Sequence, residues 1–136
     1  MGTVTDYINI ALPKGRLGDK VYNLLSGVGY GCPESYADSR KLVVENPAAG
    51  IRYFLVKPSD VPTYVDHGVA DIGVVGKDTI LEKGGAFYEV LDLNFGKCRF
   101  ALAVKEGSDF YGTYKTRRIA SKYPEVTRAF FEKKGM

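Results

Sequence analysis

Short strand-like segments alternate with helical segments along this chain, and that alternation limits the folds available to it. Residues 7–12 (YINIAL) form a β-branched run that ends at Pro13, which predicts a buried strand. From Leu17 to Val28 the apolar residues recur at helical spacing, and Gly29 is expected to end that helix. Strands that alternate with short helices predict an α/β fold built on a largely parallel sheet.

The remaining elements follow from the same two periodicities. Further strands are predicted at residues 41–45, 51–56, 71–75, 88–93, 99–104 and 118–122. Helices are predicted at residues 61–67, 77–83 and 125–134, with Ser59 or Asp60 as a cap for the first and Asp78 for the second. The composition becomes more polar after Val104, so a domain boundary is predicted between residues 95 and 105.

The charge and apolar content exclude several classes of function. The 136 residues include 19 basic and 16 acidic side chains, and the net charge of +3 is dispersed along the chain. Such a charge is too small and too evenly spread to indicate nucleic acid or a membrane surface as a partner. No apolar run approaches the ~20 residues that span a bilayer, and the first residues lack the order of a signal peptide. We therefore expect a soluble, cytoplasmic protein.

The cysteines and the histidine do not predict a metal site. Cys32 and Cys98 form no CxxC motif, and His67 is the one histidine of the chain. These residues supply too few soft ligands for structural zinc. Both thiols are expected to stay reduced and unbridged in the cytosol.

The segment Pro13-Lys14-Gly15-Arg16 lies where a predicted strand passes into a helix. Backbone N–H groups in the first turn of a helix are unpaired and attract anions. Lys14 and Arg16 add two positive charges, so this turn is the best candidate for an anion site. It is not a Walker A loop, which requires GxxxxGK[ST]. A loop with two solvated cations explains the spacing equally well.

Residues 71–78 (DIGVVGKD) form a second strand-to-helix turn. Its two glycines would let a ligand approach the backbone, and Lys77 could pair with an anion. Ordinary turn glycines are the better explanation when the GxxG spacing is taken alone. Lys57 directly follows another predicted strand and is more pocket-like than Arg40 or Arg52. Open α/β sheets bind ligands at the carboxyl ends of their strands, which raises the expectation for both turns.

Five short motifs together resemble one enzyme family. They are LPKGRL at residues 12–17, SRKL at 39–42, SDVP at 59–62, ADIGVVGKD at 70–78 and RIASKYP at 118–124. Each motif is weak alone, but the ordered set resembles ATP phosphoribosyltransferase from near the start to residue 136. The resemblance implies a fold similar to type II periplasmic binding proteins, with two α/β domains and a cleft between them. Residues 1–97 would form the first domain, on the nucleotide side, and residues 98–136 would begin the second.

The resemblance also implies a reaction and a set of site residues. Phosphoribosyl would pass from phosphoribosyl pyrophosphate to N1 of ATP, releasing pyrophosphate in the first step of L-histidine biosynthesis. Arg16 and Arg40 match arginines that neutralise charge near the reacting phosphates. The implied nucleotide-binding residues are Leu12, Lys14, Gly15, Lys57, Asp71 and Gly73.

The chemistry of this reaction agrees with the residues present. Adenine N1 attacks with a lone pair and carries no proton, so no general base is needed. A cluster of cations that stabilises the departing pyrophosphate is what the displacement requires. Magnesium is expected to arrive with phosphoribosyl pyrophosphate, because Mg²⁺ keeps mostly oxygen ligands.

The family's phosphoribosyl-pyrophosphate loop, which is acidic and glycine-rich, matches no segment here. We expect it to follow residue 136, so the second domain would be incomplete and this chain inactive alone. The LPKGR motif resembles the family's short form, which implies a homo-oligomer and a regulatory subunit similar to a histidyl-tRNA synthetase. Two alternatives are a solute-binding module of the same fold, which the lack of an export signal disfavours, and a nucleotide-binding regulatory domain without the transferase loop.

Overall fold

The computed structural model describes residues 6–32, 40–112 and 116–136. Its strands are β1 (Ile8–Pro13), β2 (Val43–Asn46), β3 (Ile51–Val56) and β4 (Ile72–Gly73). Its helices are α1 (Arg16–Leu25), α2 (Val61–Asp66), α3 (Lys77–Lys83) and α4 (Pro124–Lys133). A π-helical turn, Ser26–Tyr30, continues α1, and a 3₁₀ turn, Pro58–Asp60, precedes α2.

The strands form one open mixed sheet in the order β2-β3-β1-β4. β1 runs parallel to β3 and to β4, whereas β2 pairs antiparallel with β3. The expected α/β fold with a largely parallel sheet is therefore confirmed. Because β2 runs in the opposite direction, its first residue lies at the edge of the sheet where β1 and β3 end.

β1 is buried on both faces, which explains its uninterrupted apolar sequence. Its alternate residues Ile10 and Leu12 belong to the main core, under α1, and Ala11 belongs to a smaller cluster with Val61 of α2. The main core contains Ile10, Leu12, Val21, Tyr22, Cys32, Val44, Ile51 and Tyr53. The carboxyl half of β1 therefore packs against α1 on one face and against α2 on the other.

Two buried tyrosines fix the chain that follows α1. The Tyr22 and Tyr53 rings meet edge to face with centroids 5.7 Å apart. The Tyr22 hydroxyl accepts a hydrogen bond from the Cys32 backbone N–H at 2.6 Å, and the Tyr53 hydroxyl donates to the Tyr30 carbonyl at 2.6 Å. Burial raises the pKa of Tyr53 to about 12, so this hydroxyl stays protonated and remains a donor.

Most of the predicted elements are confirmed. The bounds of β3 and α3 match to the residue, and β1, β2, α2 and α4 lie within two residues of their predicted positions. The α-helical part of α1 ends at Leu25, earlier than expected, and Gly29 closes the π-helical turn with a φ of 99°. β4 covers two residues, Ile72 and Gly73, instead of the predicted five, and the N–H groups of Asp71 and Val74 on either side of it donate to β1 carbonyls at 2.8 and 3.1 Å.

Three predicted strands are wrong. Residues 88–93, 99–104 and 118–122 are not assigned to any strand in the part of the chain that the structure describes. Their β-branched and aromatic residues suit a strand, but a strand also needs a neighbour to accept and donate backbone hydrogen bonds. Tyr88 and Val90 are 95% and 90% exposed, so these two side chains do not pack on the fold.

The predicted helix caps are confirmed only in part. Asp60 occupies the N-cap position of α2, as one of the two alternatives predicted, but its side chain makes no capping hydrogen bond, and its carboxylate instead accepts the Ser59 hydroxyl at 3.1 Å. α3 begins after Gly76, so Asp78 lies inside its first turn. In the described ranges, no helix has the length and apolar content needed to cross a membrane.

Candidate active site

The carboxyl ends of β1 and β3 lie side by side at one edge of the sheet. Pro13 pairs in register with Val56, and the Lys14 backbone N–H donates to the Val56 carbonyl at 2.8 Å. Lys14 and Lys57 are the residues that follow these two strand ends, and both are exposed. The structure thus brings two of the predicted site residues to the same edge.

The antiparallel strand β2 brings Arg40 towards that edge as well. The Leu55 N–H donates to the Leu42 carbonyl at 2.8 Å, so the residues just before β2 lie beside the end of β3. Arg40 is exposed and lies two residues before Leu42. We refer to Lys14, Arg16, Arg40 and Lys57 together as the cationic edge.

Two glycines allow the turn between β1 and α1 to be tight. Gly15 has a φ of 102° and a ψ of −166°, a conformation that side chains other than glycine adopt with strain. A Cβ at Gly18 would lie 1.9 Å from the Pro13 carbonyl oxygen, so the first turn of α1 lies directly against the end of β1. Sequence reasoning missed Gly18, although a glycine in the first turn of a helix that follows a strand could have indicated this contact.

The start of α1 offers unpaired backbone donors, the N–H groups of Arg16, Leu17 and Gly18. The first intrahelical bond runs from the Asp19 N–H to the Gly15 carbonyl at 3.0 Å. The N–H groups of the residues before Asp19 in the helix therefore have no intrahelical acceptor. They carry partial positive charge beside the side chains of Lys14 and Arg16, and this combination favours an anionic group such as a phosphate.

Arg16 also lines a surface groove beside α1. The groove is formed by Arg16, Leu17, Asp19, Lys20, Asn23, Phe95 and Gly96. Phe95 packs against the main core, and the Lys20 ammonium lies 5.5 Å from the centroid of its ring. Arg16 thus lies between a positively charged edge and a groove with an aromatic wall, which suits a ligand that has an anionic part and a planar apolar part.

The cations at this edge differ in their partners. Within the described ranges, the side chains of Lys14, Arg16 and Lys57 form no ion pair with an acidic residue. Lys77, which follows β4, instead pairs with Glu89. Cations without a neighbouring acid produce the stronger positive potential, so Lys77 contributes less to anion attraction than the other three.

Asp71 lies away from the cationic edge. Its Oδ2 accepts hydrogen bonds from the Asn9 backbone N–H at 2.8 Å and from Asn9 Nδ2 at 3.3 Å. Asn9 is near the start of β1, and Lys14 is five residues further on, a strand length of ~16 Å. The carboxylate of Asp71 therefore joins the start of β1 to β4.

Leu12 and Gly73 lie near the edge but serve the packing. Leu12 is wholly buried in the main core. A Cβ at Gly73 would meet Val65 Cγ2 at 2.7 Å and Val61 Cγ1 at 2.8 Å. Gly73 has no side chain because α2 packs closely on β4, and this contact alone accounts for a glycine at that position.

The other titratable candidates lie outside a common cluster. The described residues contain no group of three or more His, Cys, Asp or Glu side chains that could hold a metal ion. His67 is exposed, with its Nδ1 3.0 Å from the Thr63 carbonyl oxygen. Cys32 and Cys98 are unbridged. Burial, and to a smaller extent the charge of Glu45, raises the pKa of the Cys32 thiol, which keeps it protonated and unreactive.

The chain has an α/β fold with one open mixed sheet, and the cations and helix N–H groups at its carboxyl edge form an arrangement that favours anionic ligands. The family model HisG, ATP phosphoribosyltransferase, matches residues 57–136. This chain belongs to the ATP phosphoribosyltransferase family.

Individual relatives agree with this assignment. The ATP phosphoribosyltransferase of Clostridium kluyveri is 50% identical over 128 residues, which are 94% of this chain and 58% of that protein. The one from Bacillus subtilis is 46% identical over 128 residues, 94% of this chain and 59% of its own. A solved structure, the ATP phosphoribosyl transferase (HisG:HisZ) complex from Thermotoga maritima, is similar with a TM-score of 0.66 and 33% identity. That match covers 94% of this chain and 59% of the other, so the chain spans less than two thirds of its relatives.

Proposed function

We propose that this chain supplies the ATP-binding side of an ATP phosphoribosyltransferase. The enzyme would transfer phosphoribosyl from phosphoribosyl pyrophosphate to N1 of ATP and release pyrophosphate, as the first step of L-histidine biosynthesis. Membership of the family supports the reaction. The observation that carries the proposal is the cationic edge, because the strand ends that carry Lys14 and Lys57 lie side by side next to the unpaired N–H groups that begin α1.

The proposed roles follow from how charge changes in the reaction. Adenine N1 attacks through a lone pair, so the protein has no proton to remove at that atom. Negative charge grows on the departing pyrophosphate, and Arg16 and Arg40 would stabilise it through charge-assisted hydrogen bonds. Preorganised donors of this kind contribute ~2.7–4 kcal/mol each to lowering a barrier.

The nucleotide-binding residues divide by position. Lys14, Gly15 and Lys57 lie at the edge and would contact ATP directly. Leu12 and Gly73 would act by shaping the strand ends on which the edge is built. The position of Asp71 supports a structural role more than contact with the nucleotide, since its carboxylate is held by Asn9.

The proposal extends to the domains of the enzyme. We propose two α/β domains around a cleft, as in type II periplasmic binding proteins, with residues 1–97 in the first domain and 98–136 beginning the second. All four described strands lie before residue 97, and α4 lies after it, which supports this division.

Magnesium and protein partners belong to the whole enzyme. Magnesium would enter with phosphoribosyl pyrophosphate and be held mainly by its oxygens. The Thermotoga maritima relative was solved as a HisG:HisZ complex. By analogy we propose a homo-oligomer that works with a regulatory subunit similar to a histidyl-tRNA synthetase.

The test compares two proteins: the 136-residue chain, and the same chain continued by the C-terminal remainder of the Clostridium kluyveri relative. Calorimetric titration with ATP and an assay of pyrophosphate release would be run on both. We expect weak ATP binding and no pyrophosphate release from the 136-residue chain, and release from the longer protein. Holding a second substrate in attack geometry accounts for ~7–11 kcal/mol of a barrier, which the cations of this chain alone cannot replace.

Two outcomes would contradict the proposal. ATP binding without any pyrophosphate release by the longer protein would favour a non-catalytic nucleotide-binding module. Robust turnover by the 136-residue chain would show that residues assigned here to structure build the phosphoribosyl site.

A further inference from the structure

Helix α3 lies between the turn that follows β4 and the last helix of the chain. It begins at Lys77, directly after the turn that follows β4, and carries Glu82 one residue before its end. The Glu82 carboxylate accepts hydrogen bonds from the backbone N–H groups of Glu125 at 3.1 Å and Val126 at 3.0 Å. These are the second and third residues of α4, whose N–H groups have no acceptor within their own helix. The carboxylate therefore satisfies two donors at the positive end of α4.

Tyr123 makes a second connection between the two helices. Its hydroxyl donates to Asp78 Oδ2 at 2.7 Å, and its ring meets the ring of Phe100 edge to face at 5.0 Å. The other carboxylate oxygen of Asp78 accepts the Thr79 N–H at 2.8 Å, which fixes the carboxylate in place. The hydrogen bond to Asp78 raises the pKa of the Tyr123 hydroxyl above its ordinary value, so the hydroxyl remains a donor at neutral pH.

Gly76 leaves the space that the Asp78 carboxylate occupies. A Cβ at Gly76 would lie 2.3 Å from Asp78 Oδ1. The backbone of Gly76 has a φ of −64° and a ψ of 144°, which any residue adopts. A Cβ at this position would therefore displace the Asp78 carboxylate without straining the backbone, and both glycines of the GxxG spacing at residues 73–76 face internal side chains.

We infer that Asp78, Glu82 and Tyr123 form a joint that holds α4 in a fixed position relative to the cationic edge. Each of the two carboxylates binds a donor at or just before the start of α4, so separate movement of the two helices would break these hydrogen bonds. The existence of the joint does not depend on the proposed reaction. In a cleft enzyme it would set the position of the segment after residue 116 relative to the ATP-binding residues.

Substitution of Gly76 disturbs the joint without removing the side chain of Asp78, Glu82 or Tyr123. Gly76→Ala inserts a Cβ against the Asp78 carboxylate, whereas Gly27→Ala is the matched control because an added Cβ there has no atom within 4 Å. Tyr123→Phe removes the hydroxyl and keeps the ring that packs on Phe100. Hydrogen-exchange mass spectrometry with short labelling times would follow one peptide over α4 and one over β1.

We expect Gly76→Ala and Tyr123→Phe each to accelerate exchange in the α4 peptide by roughly tenfold while β1 keeps its protection. Gly27→Ala should leave both peptides unchanged. The double variant should exchange no faster than the faster single variant, because both changes break the same hydrogen bond. Unchanged exchange in α4 would overturn the inference. Equal acceleration in α4 and β1 would also overturn it, since the residues would then support the whole fold.

Discussion

At the amino end of β1, polar side chains bind one another across the whole sheet, whereas at its carboxyl end they point to solvent. Arg52 Nε donates to Glu45 Oε1 at 2.6 Å, and Arg52 Nη1 reaches Asn9 Oδ1 at 3.5 Å. The Asn9 N–H donates to Asp71 at 2.8 Å. The network therefore includes one residue from each of β2, β3 and β1, and the residue just before β4.

The carboxyl end has the opposite character. In the described part of the chain, Lys14, Arg16 and Lys57 form no ion pair, and all three are exposed. The comparison shows that exposure and charge do not by themselves indicate a binding residue. Glu45 and Asp71 are also exposed, but their hydrogen bonds are already made within the fold. What distinguishes Lys14, Arg16 and Lys57 is positive charge that no ion pair neutralises in the described part of the chain.

The largest effect is expected for Arg16. Arg16→Ala in the chain continued by the Clostridium kluyveri remainder should lower the rate of pyrophosphate release by about 10²-fold or more, because a donor to the developing charge is lost. The melting temperature should hardly change, since the side chain is exposed and forms no ion pair in the described ranges. Steady-state kinetics and thermal melting would check both. A variant with wild-type kinetics would remove Arg16 from the proposed mechanism.

The next effect concerns the turn that carries the cations. Gly18→Ala should lower the free energy of unfolding by about 1–3 kcal/mol, because its Cβ would lie 1.9 Å from the Pro13 carbonyl oxygen and must displace backbone. ATP affinity should fall with it, since Lys14 and Arg16 would move. Gly27→Ala provides the control, as its Cβ meets nothing within 4 Å. Urea unfolding and ATP titration measure the two quantities, and a fully stable Gly18→Ala variant would contradict the described contact.

Local patterns were sufficient to predict β1, α1 and the turn between them. The apolar run before Pro13 and the helical spacing after Gly15 arise from neighbouring residues, so they are visible in the sequence. The position of Arg40 at the same edge depends on a different fact, the reversal of direction between β2 and β3. Sequence predicted those two strands and the turn between them, but a role for Arg40 came only from the family resemblance.

Pairing and close packing could not be predicted in the same way. Residues 88–104 have the composition of strands, yet pairing depends on distant chain that pattern analysis does not identify. Asp71 and Gly73 are two residues apart, and the family resemblance implies nucleotide binding for both. In the structure, Asp71 binds Asn9, whereas Gly73 packs under α2. Gly73 faces Val61 and Val65, which lie outside the motif of residues 70–78. Gly76 faces Asp78, which lies within that motif, but the motif does not show where the Asp78 carboxylate points.

A substitution of Asp71 tests whether this residue belongs to the hydrogen-bond network at the amino end of β1 or to the nucleotide site. Asp71→Ala should lower the free energy of unfolding by about 1 kcal/mol, because the N–H and side-chain donors of Asn9 lose their acceptor. ATP affinity should stay unchanged if Asp71 belongs only to the amino-end network. Asp6→Ala is the matched control, an exposed aspartate just before β1. A several-fold loss of ATP affinity in Asp71→Ala alone would instead place Asp71 in the nucleotide site.

The smallest effect is expected for the ion pair between Glu45 and Arg52. The two side chains are 41% and 32% exposed, so water screens their attraction although Nε and Oε1 are 2.6 Å apart. Glu45→Gln should therefore lower the free energy of unfolding by only about 0.2–1 kcal/mol at low salt. The loss should shrink at 1 M salt, where the screening length is ~3 Å.

Arg52→Ala should lower the free energy of unfolding by more than Glu45→Gln does, because the guanidinium also lies 4.3 Å from the centroid of the Tyr7 ring. Urea unfolding of both variants at low and high salt measures the difference. If Glu45→Gln lowered the free energy of unfolding as much as Arg52→Ala at high salt, water would not be screening the ion pair. The amino end of β1 would then differ from the carboxyl end in the burial of its charged groups as well as in their pairing.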